Sequence, residues 1–133
     1  MQDKYKVSPL HLACRCDNLE AAETLLSQPD INPLIKDEHD DTPLHEACLY
    51  GCDRIVDELL KNHTVSTSFY NIHNKEYQTP LHLACQEGHT KIVEKLLKKC
   101  PREWKERLLH AHDIEGDTAL HLAVQSLRVS IAA

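Results

Sequence analysis

Glycine is scarce in this chain of 133 residues, at three, and only six prolines accompany it. That excludes a collagen-like strand or a low-complexity linker. Long hydrophobic runs are missing too. No apolar stretch exceeds five residues, whereas a membrane-spanning helix needs about 20, and residues 1–6 have no apolar segment of the kind a secretory leader carries. Positive charge is in deficit, with 15 Lys and Arg against 21 Asp and Glu for a net charge of −6. Such a balance opposes general nucleic-acid binding, which requires a concentrated basic surface. Catalytic and cofactor motifs are also lacking. No G-x-x-x-x-G-K-[ST], H-E-x-x-H or G-x-S-x-G occurs, and histidines and carboxylates scattered along a chain do not assemble an active site. No cofactor, metal or catalytic activity is expected.

What is present is repetition. Thr79-Pro80-Leu81-His82-Leu83-Ala84-Cys85 is followed by Gly88 and by Ile92-Val93-Glu94-Lys95-Leu96-Leu97. Upstream, Thr42-Pro43-Leu44-His45-Glu46-Ala47-Cys48 precedes Gly51 and Ile55-Val56-Asp57-Glu58-Leu59-Leu60. The first copy is Ser8-Pro9-Leu10-His11-Leu12-Ala13-Cys14 with Leu25-Leu26, and the last is Thr118-Ala119-Leu120-His121-Leu122-Ala123-Val124. From Ser8 to Thr42, Thr79 and Thr118 the steps are 34, 37 and 39 residues. No unit of about 33 residues can bury a core alone, so the units must stack, and the stack is the domain.

The T-P-L-H-x-A motif at this period resembles the ankyrin repeat. The resemblance covers the chain from Asp3 to Val124. It implies an all-α solenoid of stacked antiparallel helix pairs joined by short β-turn fingers, about 30–40 Å long. On this reading residues 1–133 form one ankyrin repeat domain, with repeats near 3–36, 37–73, 74–112 and 113–133. The last repeat is incomplete or divergent.

Each unit opens with a short Asx residue five places before the cap: Asp3, Asp37, Asn74 and Asp113. Such a side chain accepts backbone hydrogen bonds and holds a tight turn. Ser or Thr then caps a helix whose first residue, proline, needs no N–H. The first helix of each pair is expected to end at Arg15, Tyr50 and Glu87, with Gly51 and Gly88 supplying positive φ. The second helix carries one apolar stripe, such as Ile92, Val93, Leu96 and Leu97. Between units, residues 62–70 are rich in β-branched and polar types and are expected to form an extended loop. Residues 100–109, with Pro101 at the first helical position and Trp104 four before Leu108, are expected to form an extra short helix. In the fourth unit Leu127 stands where Gly51 and Gly88 stand, and Ile131 falls where a second helix would begin its stripe.

Cys14, Cys48 and Cys85 share one repeat position, so their spacing belongs to the repeat and not to a disulfide framework. Helices one layer apart lie about 8–10 Å from each other, too far for a bridge whose Cα atoms must be within about 7 Å. Neither Cys14 with Cys16 nor Cys48 with Cys52 has the C-x-x-C spacing of redox or zinc motifs. A reducing, intracellular setting, cytoplasmic or nuclear, is expected. His11, His45, His82 and His121 recur at the fourth motif position, where a neutral imidazole bonds the cap hydroxyl and nearby backbone. His110 and His112 lack the further ligands that zinc requires.

Surface remains as the site. In proteins of this resemblance, partners are held by the finger tips and the exposed side of the first helices. Carried over by position, the finger residues are Lys4, Tyr5 and Val7; Glu38, His39 and Asp41; Lys75, Glu76 and Gln78; and Ile114, Glu115 and Asp117. The helix positions are Arg15, Cys16, Leu49, Tyr50, Gln86, Glu87, Gln125 and Ser126. Tyr5, Leu49 and Tyr50 are the candidate anchors, because aromatic residues on a rigid surface are frequent hot spots. Residues 30–58 hold nine acids against two bases, net −7, with most of that charge expected on the second finger, and residues 91–107 hold seven bases against three acids. A basic partner segment with an apolar anchor is therefore expected, since complementary potential raises the encounter rate. Two functions stand beside each other: a protein-binding module, or a structural or regulatory segment of a larger protein such as a channel, kinase or ubiquitin-ligase adaptor.

Overall fold

Where the sequence places Ser or Thr before Pro, a helix begins. The computed structural model describes residues 7–132, with side chains described through Gln125. Helix α1 spans Pro9–Arg15, α3 Pro43–Tyr50 and α6 Pro80–Gln86. Each is preceded by an extended Ser8, Thr42 or Thr79 whose hydroxyl accepts the backbone N–H of the third helical residue. That residue is always histidine, and its ring accepts the N–H of the cap in return. It is a capping box in which imidazole replaces the usual Glu or Gln.

Nine residues after each cap the chain must reverse. Asp17, Gly51 and Gly88 do so with φ of 53°, 72° and 70°. Helices α2 (Leu19–Leu26), α4 (Asp53–Lys61) and α7 (Thr90–Lys99) then run back. Their stripes close the core: Ile55, Val56, Leu59, Leu60, Ile92 and Leu96 are buried, while Val93 and Leu97 are half-buried against them. On α2, where Ala21 and Ala22 replace the larger pair, only Ala22 is fully buried. Helices α1, α3, α6 and α9 (Ala119–Ala132) pack in succession as one layer, and α2, α4 and α7 as the other.

The fourth unit differs from the expected helix pair. Leu127 occupies the reversal position, and a branched side chain strongly disfavours positive φ. Helix α9 accordingly runs unbroken from Ala119 to Ala132. The expected stripe residue Ile131 lies outside the described side chains.

Residues 62–70 correct another expectation. They form helix α5 (His63–Ser66) and a 3₁₀ turn at Phe69–Asn71 rather than an extended loop. Asn62 caps α5, its side-chain oxygen accepting from the Thr64 and Val65 amides at 2.9 and 3.3 Å. Val65 and Phe69, four residues apart, are both buried, so tertiary packing overrides β-branched propensity. The second insertion is the expected helix, α8, at Arg102–His110, with Pro101 one position earlier, at the cap. Leu108 is buried, and Trp104 packs 5.3 Å from Tyr70.

Two stability outcomes follow from this packing. Leu96 has no exposed surface, and Leu96→Ala should lower unfolding free energy by about 2–5 kcal/mol in urea melts. A Cβ at Gly51 would meet the His89 ring at 2.7 Å, whereas one at Gly116 meets nothing within 4 Å. Both glycines have positive φ, so Gly116→Ala should cost about 1 kcal/mol from backbone strain alone. Gly51→Ala should cost measurably more, and equal losses would show that the His89 contact is unimportant.

Candidate functional site

The fingers are built from Asx side chains, and their geometry repeats. The Asp37 carboxylate accepts from the amides of His39 and Asp41 at 2.9 and 3.0 Å. Asn74 accepts in the same way from Glu76 and Gln78, and Asp113 from Glu115 and Asp117. Each finger closes with its first amide donating to its fifth carbonyl: Asp37 to Asp41, Asn74 to Gln78 and Asp113 to Asp117. Neighbouring fingers are tied by Lys75 N–H donating to His39 C=O at 3.0 Å and Ile114 N–H to Glu76 C=O at 2.8 Å. At the fourth finger position the backbone is left-handed, at Asp40, Tyr77 and Gly116 with φ of 61°, 59° and 83°.

Buried imidazoles lock these fingers to the helices. Since the Ser8, Thr42 and Thr79 amides donate to Nδ1 of His11, His45 and His82, that nitrogen is the acceptor and Nε2 carries the proton. Nε2 then donates to Asp41 C=O at 2.6 Å from His11 and to Gln78 C=O at 2.9 Å from His45. His82 reaches Ala111 C=O at 2.9 Å and Asp117 C=O at 3.2 Å. Burial pushes the His45 value down to about 4, against an opposing bond to the Gln78 carbonyl. A neutral ring is thus the working form.

One charged group interrupts the apolar stack, and the sequence reading overlooked it. Glu46 stands where the other units carry Leu12, Leu83 and Leu122, yet it is buried. Arg15 donates to it at 2.8 Å and lies 3.8 Å from Asp37. Carboxylate oxygens of Asp37, Asp41 and Glu46 lie within 4.8 Å of one another, a spacing that suits a cation. The Arg15 guanidinium fills that role for Glu46 and Asp37. Desolvation raises the Asp41 carboxyl above its ordinary value, opposed by the hydrogen bond from Asn74 Nδ2 at 2.9 Å. The visible signal was a single Glu at an otherwise leucine position.

The expected site residues separate into groups. A polar row crosses the finger and helix face: Asn74 Nδ2 donates to Asp41 and to Gln78, Gln78 Nε2 to Gln86 at 3.4 Å, and Gln86 Nε2 to Glu87 at 3.3 Å. Tyr50 is 54% exposed and lies near Arg15. His39, Lys75, Glu76, Ile114 and Glu115 are exposed on the fingers, and Glu38 and Asp117 half-buried. Leu49 is half-buried and packs against the core, and its carbonyl accepts from His89 at 3.2 Å. Val7 is buried rather than presented at a finger tip. Cys16 and Gln125 are exposed; Lys4, Tyr5 and the Ser126 side chain lie outside the described residues. The acidic run also divides: Asp53, Asp57 and Glu58 stand on α4, where Lys95 pairs with Asp57 and Lys61 with Glu58, each at 2.9 Å. Tyr77, a half-exposed aromatic on a left-handed finger backbone beside His73, was not anticipated.

All six cysteines are free thiols. Desolvation raises Cys14 and Cys48, and pushes Cys52 and Cys85 up to about 11. Thiols held so far from ionisation are packing groups and not nucleophiles.

A family model described as ankyrin repeats, three copies, matches residues 1–68 and again residues 63–133. Among curated proteins, SMC5-SMC6 complex localization factor protein 1 of Homo sapiens is 46% identical over 52 residues, and those of Mus musculus and Bos taurus are 44% identical. The aligned stretch covers 39% of this chain and 5% of each relative, so the chain spans a small part of the proteins it matches.

The geometry gives two tests. His45 binds its proton less readily folded than at its ordinary value of 6.5, so the unfolded chain takes up the proton first as pH falls. This contribution to stability is whole above pH 6.5 and is lost toward pH 4, amounting to about 3 kcal/mol for one fully buried ring. Urea melts whose midpoint stays flat from neutral pH into that window would contradict it. Arg15→Ala, leaving buried Glu46 without its partner, should destabilise by about 2 kcal/mol or more. Adding Glu46→Leu, the residue type of the other units, should restore most of the loss in a double-mutant cycle.

Proposed function

We propose, on the premise that the chain belongs to the ankyrin repeat family, whose repeats are in general protein-interaction modules, that it binds a partner protein without catalysis. The face is the one made by the fingers and the short first helices, and the observation that carries the reading is Tyr50. A tyrosine more than half exposed at the end of α3, near Arg15, with the partly exposed acids Glu38, Asp40 and Asp41 on the finger of the same unit, is an anchor beside an acidic finger. Its fitting partner is a segment with an apolar side chain flanked by Lys or Arg. Six free cysteines suit a reducing, intracellular compartment, cytoplasmic or nuclear. No helix among the described residues is long and apolar enough to cross a membrane.

A second reading, a docking segment within a larger protein, is supported by the relatives, of which the matched stretch is only 5%. Their name, localization factors of a complex, favours a positioning task over a chemical one. On that reading the same face packs against other parts of its own polypeptide.

Selection from a random peptide library on the immobilised protein tests the first reading. Enriched peptides should carry an apolar residue between Lys or Arg. Tyr50→Ala should weaken their binding by about 2 kcal/mol, roughly 30-fold, without lowering the melting temperature. Glu76→Gln, at an exposed finger position, should mainly slow association at low salt. Lys98→Ala, on the exposed side of α7, should change nothing. Enrichment of acidic peptides, or binding lost in Lys98→Ala and kept in Tyr50→Ala, would contradict the proposal.

A further inference from the structure

The two ends of the stack expose different positions of the same repeat. One residue after the cap, Pro43, Pro80 and Ala119 are buried, but Pro9 is exposed. Four residues after it, Glu46, Leu83 and Leu122 are buried, but Leu12 is 50% exposed. These positions open only in the first unit, so they face backward, toward the preceding neighbour. Two, three and six residues after the cap the pattern inverts. Leu10, Leu44 and Leu81, the three ladder histidines, and Cys14, Cys48 and Cys85 are buried. In the fourth unit the same positions are open: Leu120 is 68% exposed, His121 is exposed and Val124 is 42% exposed. Those positions face forward.

The first unit therefore presents the backward half of the repeat interface, and α9 presents the forward half. The forward half is a stripe at i, i+1 and i+4 on one helix. His121 accepts on Nδ1 from the Thr118 amide at 3.1 Å, as its counterparts do from theirs. Its Nε2, the nitrogen that reaches the next unit's carbonyl from His11, His45 and His82, has no partner among the described residues. The backward half is a mainly apolar groove of about 630 Å³ between α1 and α2, with Pro9, Leu12, Ala21 and Leu25 on its walls and Glu20 and Thr24 of α2 also lining it.

We propose that a second copy of this chain stacks head to tail on the first, the Leu120, His121 and Val124 stripe of one copy entering the α1–α2 groove of the next. The occupant is a second copy because the junction continues an interface that the chain already forms internally, α1 on α3, α3 on α6 and α6 on α9. Each copy uses two different surfaces, so a joined pair still has one of each free and the assembly grows instead of closing as a two-fold dimer. Stacking leaves the finger tips uncovered and extends the finger and helix face from copy to copy. The proposal stands apart from the binding reading above and does not need it.

Sedimentation velocity on the 133-residue chain over a concentration series tests it. The wild type should gain mass with concentration past the dimer. Leu12→Glu blocks the groove and Leu120→Glu blocks the stripe; each alone should stay monomeric with an unchanged circular dichroism melt. Mixed one to one they should form a dimer and stop there, since the remaining junction sets two carboxylates against each other. Val124→Glu replaces Leu120→Glu if that variant fails to fold. A wild type that stays monomeric, a single variant that still self-associates, or a mixture that stays monomeric would each overturn the proposal.

Discussion

A neutral imidazole with both nitrogens bonded, buried between two units, is the constraint on which the stack depends. His45 illustrates it: Nδ1 accepts from Thr42 N–H at 3.1 Å while Nε2 donates to Gln78 C=O at 2.9 Å. Removing either partner would orphan a buried polar group in low dielectric, where such groups are expensive. The same Gln78 carbonyl accepts the Asn74 amide that closes its own finger. Helix start, finger closure and unit-to-unit spacing are thereby one coupled network, repeated at His11 and His82. An apolar side chain at this position could fill the space but could not bond both groups.

That network also holds the fingers rigid. Backbone groups of the fingers are consumed in Asx turns and in ladder bonds between fingers, so the side chains of Glu38, His39, Lys75, Glu76, Ile114 and Glu115 are held out on a fixed frame. Pre-ordered contacts lose less entropy on binding, which favours affinity without large area. Arg15 and Glu46 add an ion pair that links the last residue of α1 to the first turn of α3.

Much of this was legible because repetition multiplies weak signals. One Ser-Pro or one histidine says little, but three such pairs and four histidines in register specify cap, ring and finger together. Positions that departed from the repeat were harder. Residues 62–70 looked extended because Thr64, Val65, Thr67 and Ser68 favour strands or loops, whereas burial of Val65 and Phe69 and the Asn62 cap make that segment helical. Leu127 was recognised as an anomaly, yet its outcome, one long helix, depends on φ preference acting without a competing turn. Glu46 escaped notice because its partner Arg15 lies 31 residues away, and sequence spacing does not reveal a long-range pair. Tyr77 escaped because a tyrosine in a finger does not announce a left-handed backbone, which the fold imposes through the position Asp40 and Gly116 share. As for the candidate face, its residues could be named from the repeat, but not how they divide between structural and free roles. Asp41, Gln78 and Gln86 are tied to one another, and Leu49 packs inward.

The histidine ladder is most directly tested by nitrogen NMR of the imidazoles in the folded protein. The tautomer follows from the chemical shifts of the two ring nitrogens. His11, His45 and His82 should each show a proton on Nε2 and a bare, accepting Nδ1 at neutral pH. His45 should keep that pattern as pH drops below 6.5 and until about 4, the value to which burial lowers it. A proton on Nδ1, or a His45 ring that titrates near 6.5 while the protein stays folded, would contradict the account.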